Sequence, residues 1–76
     1  MMGELVKVIA QSLVNHPDQV EVNEVESDQS IVIELKVAPD DMGKVIGKQG
    51  RIAKAIRTVI KAASTNQKKK VVVEII

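Results

Sequence analysis

Two glycines three residues apart, Gly47 and Gly50, interrupt a helix-periodic stretch and constrain the fold more than any other feature of the chain. Glycine lets the backbone turn sharply between two helices and brings bare N–H groups close to a ligand, as a residue with a Cβ does not. The loop carries a cation, Lys48, and a helix beginning at Gly50 or Arg51 would point its free N–H groups at the same place. The spacing therefore predicts an anion site between two helices.

Hydrophobic periodicity along the rest of the chain predicts the order α-β-β-α-α-β. The first helix is expected to stop at His16-Pro17, because the residue before a proline is pushed out of the α region. The first strand is expected to have an irregular end, since Val25 is out of phase with the alternation before it, and to pair with the second strand as a hairpin. The expected elements are a helix over 3–15, strands over 20–25 and 31–37, a short helix ending at Ile46, a long helix reaching Ser64 and a strand over 71–76.

The long helix is predicted to have an apolar face and a basic face, each within an arc of about 120°. The expected core face consists of Ile52, Ala53, Ile56, Val59, Ile60 and Ala63. The basic stripe consists of Arg51, Lys54, Arg57 and Lys61. Its first two members lie near the glycine loop, whereas ligand contact and a solvated face are equally open for the other two. We interpret the run 68–70, three lysines, as a solvated turn before the last strand.

Several classes of function are disfavoured by the residue types that are missing. The chain has no Phe, Tyr or Trp, so stacking of bases on aromatic rings is excluded. It has no cysteine and one histidine, which excludes a disulfide, a thiolate nucleophile and an ordinary zinc site. The spacing of Gly43, Gly47 and Lys48 does not match a P-loop, and Asp40 and Asp41 diverge by about 100° on a helix. We expect a non-enzymatic protein without a cofactor or small-molecule substrate.

The net charge of +1 conceals a division between the two halves of the chain. Residues 1–39 hold two cations and seven acids, a net charge of −5, and residues 40–76 hold nine cations and three acids, a net charge of +6. If the fold keeps the halves apart, one face attracts polyanions. No signal peptide and no apolar run of the roughly 20 residues that a membrane span needs are visible, so we expect one domain, 1–76, in the cytoplasm and away from membranes.

Together, the run 45–50, Val-Ile-Gly-Lys-Gln-Gly, and the basic helix start 51–57 resemble the type II KH domain. Over its length the chain is similar to the small stand-alone bacterial KH proteins of the KhpA type. The resemblance implies an α+β fold with a three-stranded sheet backed by three helices, and a loop that clamps the backbone of single-stranded RNA. Bases would lie between the helices of the loop and the neighbouring strand. The implied RNA site comprises Ile46, Gly47, Lys48, Gln49, Gly50, Arg51, Ile52 and Lys54.

The resemblance also implies partners and a cellular role. Proteins of this type are associated with homodimers, with a larger KH-containing partner of the KhpB (Jag or EloR) type, and with RNA-linked control of bacterial cell elongation and division. An RNA chaperone or post-transcriptional regulator is the leading expectation. The alternatives are a protein-interaction module and an accessory factor in ribosome assembly or rRNA processing. A helix–helix turn that binds no ligand is the simplest competing interpretation of the loop.

Overall fold

The computed structural model describes residues 2–76, in which three helices pack on one face of a three-stranded sheet. The order α-β-β-α-α-β and the α+β class are confirmed. The elements are α1 (Met2–Leu13), β1 (Glu21–Glu26), β2 (Ser30–Lys36), α2 (Met42–Ile46), α3 (Arg51–Ala63) and β3 (Lys70–Ile75). Single 3₁₀ turns at Pro17–Gln19, Pro39–Asp41 and Lys48–Gly50 precede β1, α2 and α3.

Strand β2 is the centre of the sheet and carries two fully buried side chains. It pairs antiparallel with β1 and parallel with β3, so β3 is an edge strand. Ile33 and Leu35 of β2 are fully buried, because alternate side chains of the strand point at the helices. Val6 of α1 and Ile60 of α3 pack into the same aliphatic core. The parallel connection between β2 and β3 requires a crossover, and α2, the glycine loop and α3 supply it.

The predicted irregular end of the first strand is wrong. Pairing with β2 is regular as far as Glu26 opposite Ile31. Val25 lies opposite Val32, on the face of the sheet that points away from the helices. The alternation breaks in sequence because β1 has one solvent-facing side, where a cross-strand valine pair is tolerated and adds contact area.

Helix α1 ends at Leu13, two residues before the predicted end, and Asp41 explains why. The Asp41 carboxylate is fully buried and accepts hydrogen bonds from the backbone N–H groups of Asn15 at 3.2 Å and His16 at 2.9 Å. These N–H groups therefore leave the helical pattern. Sequence reasoning treated Asp41 as an acid at a helix start, but its side chain makes no cap hydrogen bond to α2. It fastens the end of α1 to the start of the helix that leads into the loop.

Candidate nucleic-acid interface

The connection between α2 and α3 is a tight loop whose backbone conformation depends on its glycines. Gly47 ends α2, and its N–H donates to the carbonyl of Gly43 at 2.8 Å. Gly47 then adopts φ 77° and ψ 173°, a region that is essentially restricted to glycine. Gly50 lies in the left-handed region at φ 75° and ψ 14°, directly before α3. The two glycines are thus required by the turn itself, as the sequence predicted.

The free N–H donors of the loop belong to the two residues between the glycines. The N–H of Gly50 donates to the carbonyl of Gly47 at 3.1 Å, and the N–H of Arg51 donates to the carbonyl of Lys48. The backbone N–H groups of Lys48 and Gln49 lie outside the helical hydrogen bonds of the described residues, because α2 ends at Ile46 and the bonds of the 3₁₀ turn are donated by Gly50 and Arg51. Gln49 holds φ 60°, a left-handed conformation that is uncommon without glycine. The loop therefore exposes two adjacent unpaired donors, which is the arrangement that binds anions.

Three cationic side chains surround these donors. Lys48, Arg51 and Lys54 are all exposed at the loop or on the first turn of α3. Arg51 also donates from Nη2 to Oε1 of Gln49 at 3.5 Å, which draws its guanidinium toward the loop. Residues 42–63 contain no acidic side chain, so the charge of the loop and of α3 is positive.

The two isoleucines of the predicted site lie on either side of the loop. Ile46 is 37% exposed at the end of α2. Ile52 is half-buried and packs against the backbone of Gly47, where a Cβ would come within 2.6 Å of the Ile52 Cγ1. Ile52 also lines a groove between α1 and α3. These contacts favour support of the loop over contact with bases as the role of Ile52.

A groove of about 480 Å³ runs between the second half of α3 and the edge strand β3. Three cations lie along it, Arg57 and Lys61 from α3 and Lys70 from β3, and the segment 71–73 supplies apolar wall. Along α3, at about 1.5 Å and 100° per residue, Arg57 lies about 4.5 Å beyond Lys54 and about 60° around the helix from it. Cations at the loop and in the groove can therefore lie along one strand of a polyanion.

In the sequence, Arg57 and Lys61 fit ligand contact and a solvated face equally well, and the run 68–70 predicts a solvated turn. The spacing of the basic stripe held the signal for the first two, but only the packing of α3 on β3 turns that stripe into the wall of a groove. Of the other lysines before β3, Lys69 pairs with Glu26 at 2.5 Å and Lys68 is exposed. Lys70 is exposed as predicted, but it is the first residue of β3 and lies at the edge of the groove, so the turn ends one residue earlier than expected.

The apolar face of α3 is divided between the core and a second groove. Ala53, Ile56 and Ile60 are buried, as predicted. Val59 is 47% exposed, however, and Ala63 is exposed, so the prediction that they belong to the core is wrong. The sheet covers less of the helix than the apolar arc spans, and the uncovered side faces α1. The groove there has an apolar lining apart from Arg51: Leu5, Ile9, Leu13, Ile52, Ala55, Ile56 and Val59.

No helix within residues 2–76 is both long enough and apolar enough to cross a bilayer.

Comparison with known proteins gives consistent matches over nearly the whole chain. The family model for the KH domain of KhpA and KhpB matches residues 3–75. Proteins named RNA-binding protein KhpA from Caldanaerobacter subterraneus subsp. tengcongensis and Clostridium perfringens are 72% and 69% identical over 75 residues, which cover 99% of this chain and all of each relative. The protein of the same name from Aquifex aeolicus is 48% identical over 75 residues, covering 99% of this chain and 95% of the relative.

A crystal structure of an Aquifex aeolicus Era variant bound to GDP.AlF4- has a similar fold. The TM-score is 0.65 at 23% sequence identity, and the match covers 97% of this chain. The chain spans 29% of the length of that protein. At this level of identity the likeness concerns the fold alone.

Proposed function

The chain belongs to the KhpA/KhpB KH-domain family, and from this premise we propose that it is a non-enzymatic protein that binds single-stranded RNA as a single KH domain. The observation that carries the proposal is the pair of unpaired N–H donors at Lys48 and Gln49, with three exposed cations around them. A phosphate accepts hydrogen bonds and carries charge, so it satisfies both features. The names of the relatives point to the same ligand.

Each predicted site residue has a role in this proposal. Gly47 and Gly50 set the turn, Lys48 and Gln49 present N–H donors to phosphate, and Arg51 and Lys54 add charge. Ile46 offers an exposed apolar surface to a base, and Ile52 holds the backbone of Gly47 in place. The RNA chain would continue from the loop into the α3–β3 groove. Because the chain has no aromatic ring with which to read a base, affinity should be modest and strongly dependent on salt.

The test is a titration of labelled single-stranded RNA at several salt concentrations with the wild type and the Lys48→Asp, Gln49→Asp double variant. About three phosphate contacts predict a slope of roughly −2 for log Kobs against log salt concentration. The double variant should bind more than about tenfold more weakly, since it replaces a cation by an anion and places a second anion beside the phosphate site.

A control variant with the same change in charge is Lys7→Asp, Gln11→Asp, on α1. Neither residue lies in the loop or lines the α3–β3 groove. Equal affinity of the wild type and the loop variant, or the absence of any salt dependence, would refute the proposal. An equal loss in both double variants would show that overall charge, and not the loop, controls binding.

A second candidate function, protein association, is favoured by the groove between α1 and α3. Val59 at 47% exposure and Leu13 at 38% leave apolar surface uncovered there. Contiguous exposed apolar surface of this kind marks a site of protein contact. We propose that this groove holds a second copy of the chain or a larger KH-containing partner of the KhpB type, and that the resulting avidity strengthens weak RNA binding.

Light scattering over a concentration series tests self-association, with Val59→Glu as the disrupting variant. Val25→Glu is the matched control, since Val25 is 48% exposed but lies on the opposite face of the sheet. The wild type and Val25→Glu should show the mass of a dimer, and Val59→Glu that of a monomer. A wild type that is monomeric throughout would refute self-association, and a titration with a KhpB-type KH domain would then test the other partner.

For the cellular role we propose an RNA chaperone or post-transcriptional regulator that acts in cell elongation and division. The support for this step is family membership. Deletion of the gene should change cell length, and the loop variant should fail to restore it.

A further inference from the structure

The side chain of Arg57 is fixed in the α3–β3 groove by the backbone of the opposite wall. Its Nε donates a hydrogen bond to the carbonyl oxygen of Val73 at 3.3 Å. Strand β3 is an edge strand, and an edge leaves alternate backbone groups without a neighbouring strand. Arg57 is thus joined to both walls of the groove, through its own helix and through β3.

This contact leaves the terminal nitrogens of Arg57 as free donors. Among residues 2–76 the guanidinium makes no hydrogen bond other than the one from Nε. Because the group is planar, fixing Nε restricts the plane in which the terminal N–H groups can point. Arg57 therefore offers a preoriented pair of donors, whereas Lys61 and Lys70, which line the same groove, are flexible point charges.

A pair of parallel donors distinguishes the bases by their patterns of acceptors. Cytosine presents O2 and N3 as neighbouring acceptors, and guanine presents O6 and N7. In adenine the acceptors N1 and N7 both lie beside the N6 amino group, which is a donor. In uracil the donor N3–H lies between the acceptors O2 and O4. Only cytosine and guanine can accept two hydrogen bonds from one guanidinium without placing a donor against a donor.

We propose that Arg57 is a specificity-determining residue that selects single-stranded RNA with cytosine or guanine in the α3–β3 groove. This inference rests on the proposed RNA binding and assigns a class of substrate to it. The loop would hold the phosphates whatever the sequence, and Arg57 would read one base further along the same strand. In this arrangement the Val73 carbonyl orients the Arg57 guanidinium toward the base.

The sharpest comparison is hexacytidylate against hexauridylate at neutral pH, since these two pyrimidines match in size and differ in hydrogen-bonding pattern. The wild type should bind hexacytidylate about tenfold more tightly, which is at the lower end of the discrimination given by a bidentate contact. Hexaadenylate should bind about as weakly as hexauridylate.

Arg57→Lys keeps the charge and removes the planar pair of donors. It should reduce the preference for cytosine to about twofold or less, and leave the salt slope unchanged, because the number of cations is the same. A merely structural role of Arg57 would lower stability or overall affinity but would not change the ratio between the two oligonucleotides. Lys48→Asp, Gln49→Asp should weaken binding of both oligonucleotides and preserve their ratio.

The outcomes separate this inference from the function on which it rests. Equal binding of the two oligonucleotides by the wild type, together with weaker binding by the loop variant, would overturn the role of Arg57 and retain RNA binding. A cytosine preference that persists in Arg57→Lys would also overturn it. No binding of any oligonucleotide would overturn both. A preference in the wild type that is lost in Arg57→Lys would support the assignment.

Discussion

Substitution of Gly47 by alanine should remove about 2–6 kcal/mol from the free energy of unfolding, as the sum of two separate effects. At φ 77° and ψ 173° the backbone is in a region where a residue with a Cβ pays about 1–3 kcal/mol. The added Cβ would also lie 2.6 Å from the Ile52 Cγ1 and 2.9 Å from its Cβ. The Ile52 Cβ is fixed by the backbone of α3 and cannot rotate away, so relief requires a shift of α3 that costs about 1–3 kcal/mol.

Alanine substitutions at the other loop glycine, Gly50, and at a helical glycine, Gly43, separate the backbone cost from the steric cost. Gly50 has φ 75°, but a Cβ added there would meet no atom within 4 Å. Gly50→Ala should therefore lower the free energy of unfolding by only the cost of a left-handed backbone, about 1–2 kcal/mol. Gly43 lies within α2 and also has open space around its Cβ position, so Gly43→Ala should gain about 0.5–1 kcal/mol. A protein of this length has a total stability of about 4–11 kcal/mol, so all of these changes are measurable.

The assay is urea denaturation followed by far-ultraviolet circular dichroism, because a chain without Phe, Tyr or Trp offers no aromatic fluorescence. Combining Gly47→Ala with Ile52→Ala removes the Cγ1 contact but keeps the Ile52 Cβ 2.9 Å from the added Cβ, so it should recover part of the steric loss and leave the backbone part. The two changes should therefore be non-additive by about 1–2 kcal/mol. The reasoning is refuted if Gly47→Ala costs no more than Gly50→Ala, or if the effects of the two substitutions simply add. Destabilisation by Gly43→Ala would refute the explanation of the series.

Two further predictions concern polar contacts away from the loop. Asp41→Ala should cost about 2–4 kcal/mol in the same denaturation assay, since it leaves the N–H groups of Asn15 and His16 without their buried acceptor. Asp40→Ala, at the exposed neighbouring position, should change the free energy of unfolding by about 0.5 kcal/mol or less. Similar losses at the two positions would count against this role of Asp41. Glu26→Gln should cost less than about 1 kcal/mol, because the side chains of its ion pair with Lys69 are 63% and 30% exposed. That loss should shrink further at high salt, and a large loss that is independent of salt would contradict the account.

A feature of the structure could be predicted from a local sequence pattern wherever that pattern is compatible with only one backbone conformation. Gly47 and Gly50 marked the turn in the sequence alone, because few other residues adopt their backbone angles. Alternation predicted the strand over 31–37, and the structure buries Ile33 and Leu35, which are two residues apart, on one face of β2, since side chains alternate between the two faces of a strand. The end of α1 was misplaced because Asp41, far along the chain, binds the N–H groups that would have continued the helix.

The order of elements, the position of the glycine loop and the cations beside it follow from the amino-acid sequence alone, because they depend on periodicity and on the conformational limits of neighbouring residues. Tertiary structure decided which faces of α3 are covered. The sheet buries Ile56 and Ile60 but leaves Val59 in an open groove with α1. It also decided that Arg57 meets the carbonyl of Val73, a contact between two elements whose relative placement depends on the packing of the whole core. A helical wheel records the direction of a side chain, whereas the fold supplies what that side chain faces.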